Sequence, residues 1–155
     1  MRRVPKFLLS KIVVAFAVSV LTVAAFAQWS NPAEDVPAYH AAPPAATATL
    51  PPILHGAQLT GPAFTYPWQK AVYKDAAKVS KVLYQLPCFC RCDRALGHTS
   101  LHSCFEGLHG AECTTCAQEG YYAYKMTMAG KSVQQIRGGI MHQEYEKIDL
   151  NSIKD

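Results

Sequence analysis

The segment 87–116, PCFCRCDRALGHTSLHSCFEGLHGAECTTC, holds all six cysteines of the 155-residue chain and three of its six histidines. Thiols confined to so short a stretch staple only nearby parts of a fold, so the stretch must pair internally, share a metal ion or run redox chemistry. Cys88, Cys90 and Cys92 alternate directly after Pro87. In an extended backbone residues two apart project to the same side, so the three sulfurs can converge, whereas in a helix Cys88 and Cys90 would diverge by about 200°. The proline favours the extended case. Thiols this close along the chain are poor disulfide partners for one another, because a bridge demands a particular separation and orientation of the β-carbons. Each looks outward for a partner, or they share one.

Farther on, His98 and His102 are four residues apart, and Leu101, Phe105 and Leu108 mark an apolar edge at helical spacing. This pattern predicts a short helix with both imidazoles on one face, a workable bidentate arrangement for a metal. Cys104 would then face another way, so either that helix is irregular or Cys104 belongs to a different partnership. The last element runs His109-Gly-Ala-Glu-Cys113-Thr-Thr-Cys116. A C-x-x-C whose second thiol lies in the first turn of a helix has its thiolate stabilised by the helix N-terminus. The same spacing lets both sulfurs grip one ion. Covalent haem attachment requires a histidine directly after the second cysteine, and Ala117 stands there, which argues against a c-type haem.

Nine side chains are therefore candidate metal ligands: Cys88, Cys90, Cys92, His98, His102, Cys104, His109, Cys113 and Cys116. Thiolates with neutral imidazoles suit zinc or cuprous copper. Two other chemistries stay open. In thiol redox chemistry a thiolate among Cys92, Cys113 and Cys116 attacks a disulfide or peroxide and a neighbour resolves the intermediate. In a purely structural or interaction module the six thiols form disulfides, as an exported compartment favours. No hydrolase, nucleotide-binding or kinase signature is present, so an enzymatic role, if there is one, is that of a thiol oxidoreductase.

The compartment is read from the N-terminus. Arg2, Arg3, Lys6 and Lys11 precede an apolar run from Ile12 to Phe26, and Ala25-Phe26-Ala27 offers a small-x-small cleavage site before Gln28. This is the pattern of a secretory signal peptide over residues 1–27, so the protein is expected to be periplasmic or extracellular. The apolar stretch falls short of the roughly 18 residues of a spanning helix, and a membrane tether follows only if the segment stays uncleaved. Removing it takes four of the fifteen Lys and Arg residues and none of the eleven acids, so the remainder is formally neutral. A neutral surface without aromatic-basic interleaving argues against nucleic acid as a partner.

Residues 28–58 are rich in proline and alanine, without helical or strand period, and read as an extended linker or strap that Trp29 and Tyr39 are able to dock. Residues 59–150 form the ordered Cys/His-rich domain. Thr65-Tyr66-Pro67 suits a helix start, and Trp68, Val72, Val79, Leu83 and Leu86 recur at helical spacing up to Pro87. A second helix is predicted from Cys113 to Ala129, with Cys113, Cys116, Ala117, Gly120, Tyr124 and Met128 on one stripe and Gln118, Glu119 and Lys125 pointing elsewhere. Ser132-Val-Gln-Gln135 reads as a capping box for a third helix through Ile136 and Ile140, which Gly138 and Gly139 shorten or bend. The expected fold is mainly α: a small helical domain closed around a Cys/His cluster and preceded by a Pro/Ala-rich extended segment.

PCFCRC, GHTSLHSCF and HGAECTTC, followed by a tyrosine-rich helix and GKSVQQIRGGI, together resemble the bacterial exported proteins named for a PCYCxC motif, over about residues 60–140. The DVPAYHAAPPA stretch is similar to the leader segment of some members. The resemblance implies no established reaction. It implies that some relatives carry selenocysteine where Cys92 stands, a strong nucleophile that would favour redox chemistry in those members. Here the position is a plain thiol, Phe89 replaces the motif's tyrosine, and no lipid-attachment cysteine follows the proposed cleavage site.

Overall fold

A computed structural model describes residues 35–154; the proposed signal peptide, Trp29 and the first part of the Pro/Ala-rich segment lie outside the described residues. Helix α1, Pro67–Lys78, starts where Pro67 takes the first helical position and Gln69 Oε1 accepts the Tyr66 backbone N–H at 2.7 Å. Tyr66, not Thr65, is the capping residue. The predicted run to Leu86 is interrupted once: Val79 leaves helical geometry (φ −124°, ψ 26°), and a short helix α2, Ser80–Leu83, resumes after it. Trp68, Val72, Val79, Leu83 and Leu86 are all buried, so the apolar stripe survives the break.

Helix α3, Cys92–Leu96, and the 3-10 turn Leu101–Phe105 lie between Pro87 and the short helix α4, His109–Glu112. Helix α5, Thr114–Met128, is the longest of the described elements, and packs mainly against α1. Helix α6, Val133–Met141, opens with the predicted capping box: Ser132 Oγ accepts from the Gln135 N–H at 3.3 Å and Gln135 Oε1 from the Ser132 N–H at 3.0 Å. The helix runs unbroken through Gly138 and Gly139. Gly139 is there for space, because a β-carbon would meet the Tyr122 hydroxyl, which itself donates to Glu144 Oε2 at 2.6 Å. Two further 3-10 turns, Glu144–Lys147 and Leu150–Ser152, return Tyr145, Leu150 and Ile153 to the core.

No strand occurs among the described residues, and the fold is the helical one expected. None of the described helices is long and apolar enough to cross a membrane. Residues 36–58 are not a free tether: they belong to the same compact unit as the helices. Ala38 N–H donates to Asp93 Oδ2 at 3.2 Å, and the His40 ring stacks on Tyr84 with centroids 3.8 Å apart. The Arg137 guanidinium covers Tyr39 at 4.3 Å while donating twice to the Gln85 carbonyl. Pro37 and Ile53 are buried, and Leu54 N–H donates to Phe105 O at 3.0 Å. A segment whose one regular element is the 3-10 turn Gly56–Gln58 is thus tied to the helical body by ring contacts and hydrogen bonds.

Candidate metal centre

The C-x-C-x-C run is a turn, not the extended segment expected. Arg91 N–H donates back to Cys88 O at 3.3 Å, and Arg91 adopts the left-handed region with φ 63° and ψ 29° before α3 begins at Cys92. The sulfurs converge through that reversal, which also separates them. Cys88 and Cys92 fall into one ligand group and Cys90 into another. A non-glycine residue in this conformation costs about 1–2 kcal/mol. We therefore expect Arg91→Gly to be more stable than Arg91→Ala by about 1 kcal/mol in urea unfolding, the reverse of the order at an ordinary position. Equal stabilities would show that the turn opens without cost.

The first group consists of Cys88, Cys92, Cys104 and Cys116, all buried; the second of Cys90, His109 and Cys113, each partly exposed, together with Cys116. Within each group all four ligand atoms lie within 4.8 Å of one another, so each is able to hold a metal ion. Cys116 belongs to both. Its Sγ is 3.2 Å from Cys88, 3.3 Å from Cys90 and 3.5 Å from Cys104. Cys88 and Cys90 are 3.3 Å apart, and Cys92 and Cys104 are 3.4 Å apart. All six thiols are free. These separations exceed the disulfide bond of about 2.05 Å and approach the edge of about 3.8 Å expected for a tetrahedron with metal–sulfur bonds of about 2.3 Å.

Local structure explains the convergence. Cys113 caps α5 and Cys116 lies one turn in, the relation foreseen for the C-x-x-C. The expected helix carrying His98 and His102 does not form: only a 3-10 turn from Leu101 to Phe105 is present, and His98 precedes it. That tighter turn aims Cys104 into the cluster, against Cys92 and Cys116. His98 Nδ1 lies 3.4 Å from Cys104 Sγ, with its ring edge-on to His109 at 5.3 Å, so it stands beside both groups without belonging to either. His102 is set apart. It is 1% exposed, and its Nδ1 pairs with Glu106 Oε1 at 2.9 Å. His109 Nε2 is 3.4 Å from Cys90 Sγ.

Six sulfurs this close cannot all ionise unaided, because each thiolate disfavours the next. Hydrogen bonds from neighbouring thiols, first from Cys104, hold Cys90 and Cys92 well below the ordinary cysteine range. Contact with Cys104 is likewise the first cause pushing Cys116 far above it, and Cys88 with it. Protons and negative charge are thus unequally shared in the cluster. A bound dication removes the repulsion and takes the place of the protons.

Glu119, assigned by its helical wheel position to a face away from the cluster, is wholly buried. It follows Cys116 by three residues and so shares its side of α5. That spacing was the available signal, and the carboxylate's usual preference for water obscured it. Glu119 Oε1 accepts the Phe89 N–H at 2.8 Å, fixing the turn between Cys88 and Cys90, and burial pushes the carboxyl up to about 8. Oε2 is buried without a hydrogen-bond partner. Glu119→Ala is expected to cost about 2 kcal/mol, because the Phe89 N–H loses its acceptor. Glu119→Gln, which keeps an acceptor, should cost much less in the same denaturation series. Equal losses in the two variants would mean that the hydrogen bond contributes nothing. On the α5 stripe, Cys116, Ala117 and Gly120 are buried as expected, whereas Met128 is 59% exposed because α5 has by then passed the edge of the core.

A family model described as a protein of unknown function with PCYCGC motif matches residues 62–148. No curated protein and no solved structure matches the chain. The motif in that description places glycine where Arg91 stands, the residue type that φ 63° calls for, and tyrosine where Phe89 stands. The match spans more than half of the chain and contains all six cysteines with the helices that position them, and on that ground the chain belongs to the PCYCGC-motif family.

Proposed function

We propose that the protein is an exported metal-binding protein whose thiolate and imidazole cluster holds a soft or borderline transition ion, zinc in the first place and cuprous copper in the second. The observation that carries this reading is the convergence of six free thiols and His109 into two four-donor groups with one sulfur in common. Four-donor sets of sulfur, or of sulfur with one nitrogen, match zinc's tetrahedral preference. Export rests on the basic and apolar segment at 1–27 with its small-x-small site. The decisive test is elemental analysis with a free-thiol count on protein recovered from its own compartment. Near-stoichiometric zinc or copper, with thiols that become titratable only after chelation, is the expected result. Metal-free protein with all six thiols oxidised to disulfides defeats the proposal.

Thiol redox chemistry is the second reading, favoured by one observation: Cys90 is partly exposed, its thiol is held low, and Cys88 and Cys116 both stand 3.3 Å away. Cys92, one of the three thiols that the sequence offers for attack, is only 3% exposed. In such a reaction the Cys90 thiolate attacks a substrate disulfide and expels one thiolate, and Cys116 then displaces the second, leaving a Cys90–Cys116 disulfide. A defined two-electron reduction potential lost in Cys90→Ser, in protein that carries no metal, favours this reading over the first.

A further inference from the structure

Resting on the metal-binding reading, we infer that the cluster takes two ions through the shared Cys116 thiolate: an inner ion that is retained and an outer ion that exchanges with incoming donors. The two groups differ in the one property that governs ligand exchange, access. Cys88, Cys92, Cys104 and Cys116 are each at most 3% exposed, so an ion among them meets neither water nor a competing ligand unless the core opens. Cys90, His109 and Cys113 are partly exposed, which leaves the outer ion open to a competing ligand.

The elements that carry the ligands differ in the same sense. Three inner ligands follow or sit within buried packing: Cys88 comes after Leu86 and Pro87, Cys104 precedes the wholly buried Phe105, and Cys116 precedes the wholly buried Ala117. The outer ligands sit at edges. His109 opens the four-residue α4, Cys113 is the residue between α4 and α5, and Cys90 lies in the turn next to left-handed Arg91. An incoming thiolate or imidazole is therefore able to replace Cys113 or His109 one donor at a time, with no change in oxidation state and no bond to the inner ion broken. As an outer donor leaves, the bridging sulfur remains on the inner ion, so the cluster keeps its shape after the outer ion has gone. This is the behaviour of a hand-over site, and the partner it fits is a ligand or protein that presents free thiolate or imidazole donors.

The test uses the intact chain, reduced under argon and titrated with zinc. Native mass spectrometry should show two ions per chain. On addition of excess chromophoric chelator, release should be biphasic, the first ion leaving at least tenfold faster than the second. Cys113→Ser and His109→Ala should each bind one ion and release it at the slow rate; both positions are partly exposed, and two independent variants guard against one that misfolds. With cobalt(II) as the probe, the paramagnetic resonance intensity should rise through the first equivalent and fall through the second, as the two ions couple through the common sulfur. A maximum of one ion, two ions released at one rate, or full stoichiometry in both variants overturns the inference while leaving a metal-binding protein. Failure to bind zinc, cobalt or cuprous copper overturns the metal reading itself.

Discussion

Cys116→Ser is expected to lose essentially all bound metal, whereas Cys113→Ser keeps an ion. The contrast follows from position, since both residues belong to one C-x-x-C at the start of one helix. Cys116 is fully buried and is the only side chain common to both ligand groups, while Cys113 is partly exposed and serves the outer group alone. Serine supplies a hard, weakly acidic oxygen that is a poor ligand for a soft ion. At position 116 it leaves three sulfurs in the inner group, and two sulfurs with one imidazole in the outer, and removes the atom that makes the groups contiguous. Binding free energies of structural zinc sites are on the order of 10 kcal/mol, and a ligand bound only by the folded state stabilises that state through mass action. The melting temperature of Cys116→Ser should accordingly fall by on the order of 10 °C or more below that of the metal-loaded parent. In metal-free protein most of that difference should vanish, leaving only the cost of a buried hydroxyl. Elemental analysis with calorimetry, with and without chelator, checks both halves. Retention of metal and melting temperature by Cys116→Ser refutes the common-ligand arrangement.

The helical architecture was legible because the apolar periodicity is strong: Trp68, Val72, Val79, Leu83 and Leu86 are buried as their spacing requires, and Ser132 with Gln135 makes the cap that its chemistry allows. The site was legible as a set of residue types but not as a geometry. Pro87 correctly removes helix from Cys88, yet nothing in the residues that follow announces a reversal, and an arginine disguises the left-handed position at 91. His98 and His102 have the spacing of a bidentate pair, but a 3-10 turn advances about 120° per residue, not 100°, and it begins only at Leu101. That difference removes His102 to Glu106 and brings Cys104 inward. Glu119 was misplaced for another reason. Its burial depends on a backbone N–H from a segment thirty residues away, a tertiary partner that no local pattern encodes. The order of residues 36–58 was equally hidden, since contacts such as His40 on Tyr84 and Tyr39 under Arg137 link residues far apart in the chain.

Phe105 links the core to the site, and Gly120→Ala and Phe105→Ala should damage both together. Phe105 directly follows the candidate ligand Cys104 and is wholly buried. Its ring lies where a β-carbon on Gly120 would come within 2.5 Å of Cζ, and where one on Gly110 would come within 2.7 Å of Cδ1. Gly110 adjoins the candidate ligand His109, and Gly120 lies one turn beyond the candidate ligand Cys116. Tyr73 closes the ring from α1, edge-on at 5.1 Å, and anchors its own hydroxyl on Gly107 O at 2.6 Å. One ring therefore sets the spacing of three chain segments that each carry a candidate ligand. Phe105→Ala opens a cavity in a region whose neighbours are already in contact, which costs about 3–5 kcal/mol. Gly120→Ala overpacks the same spot, at about 1–3 kcal/mol, because both neighbours are held and the ring has no free volume to enter. Neither substitution touches a ligand, yet each should lower metal affinity at least tenfold, since a shift of the Phe105 ring carries Cys104 with it. The pair Gly120→Ala with Phe105→Leu should recover part of the loss, a coupling that two independent defects do not show. Chemical denaturation together with chelator competition measures both effects. Loss of stability with unchanged metal affinity would separate the ring from the site and assign Phe105 to the core alone.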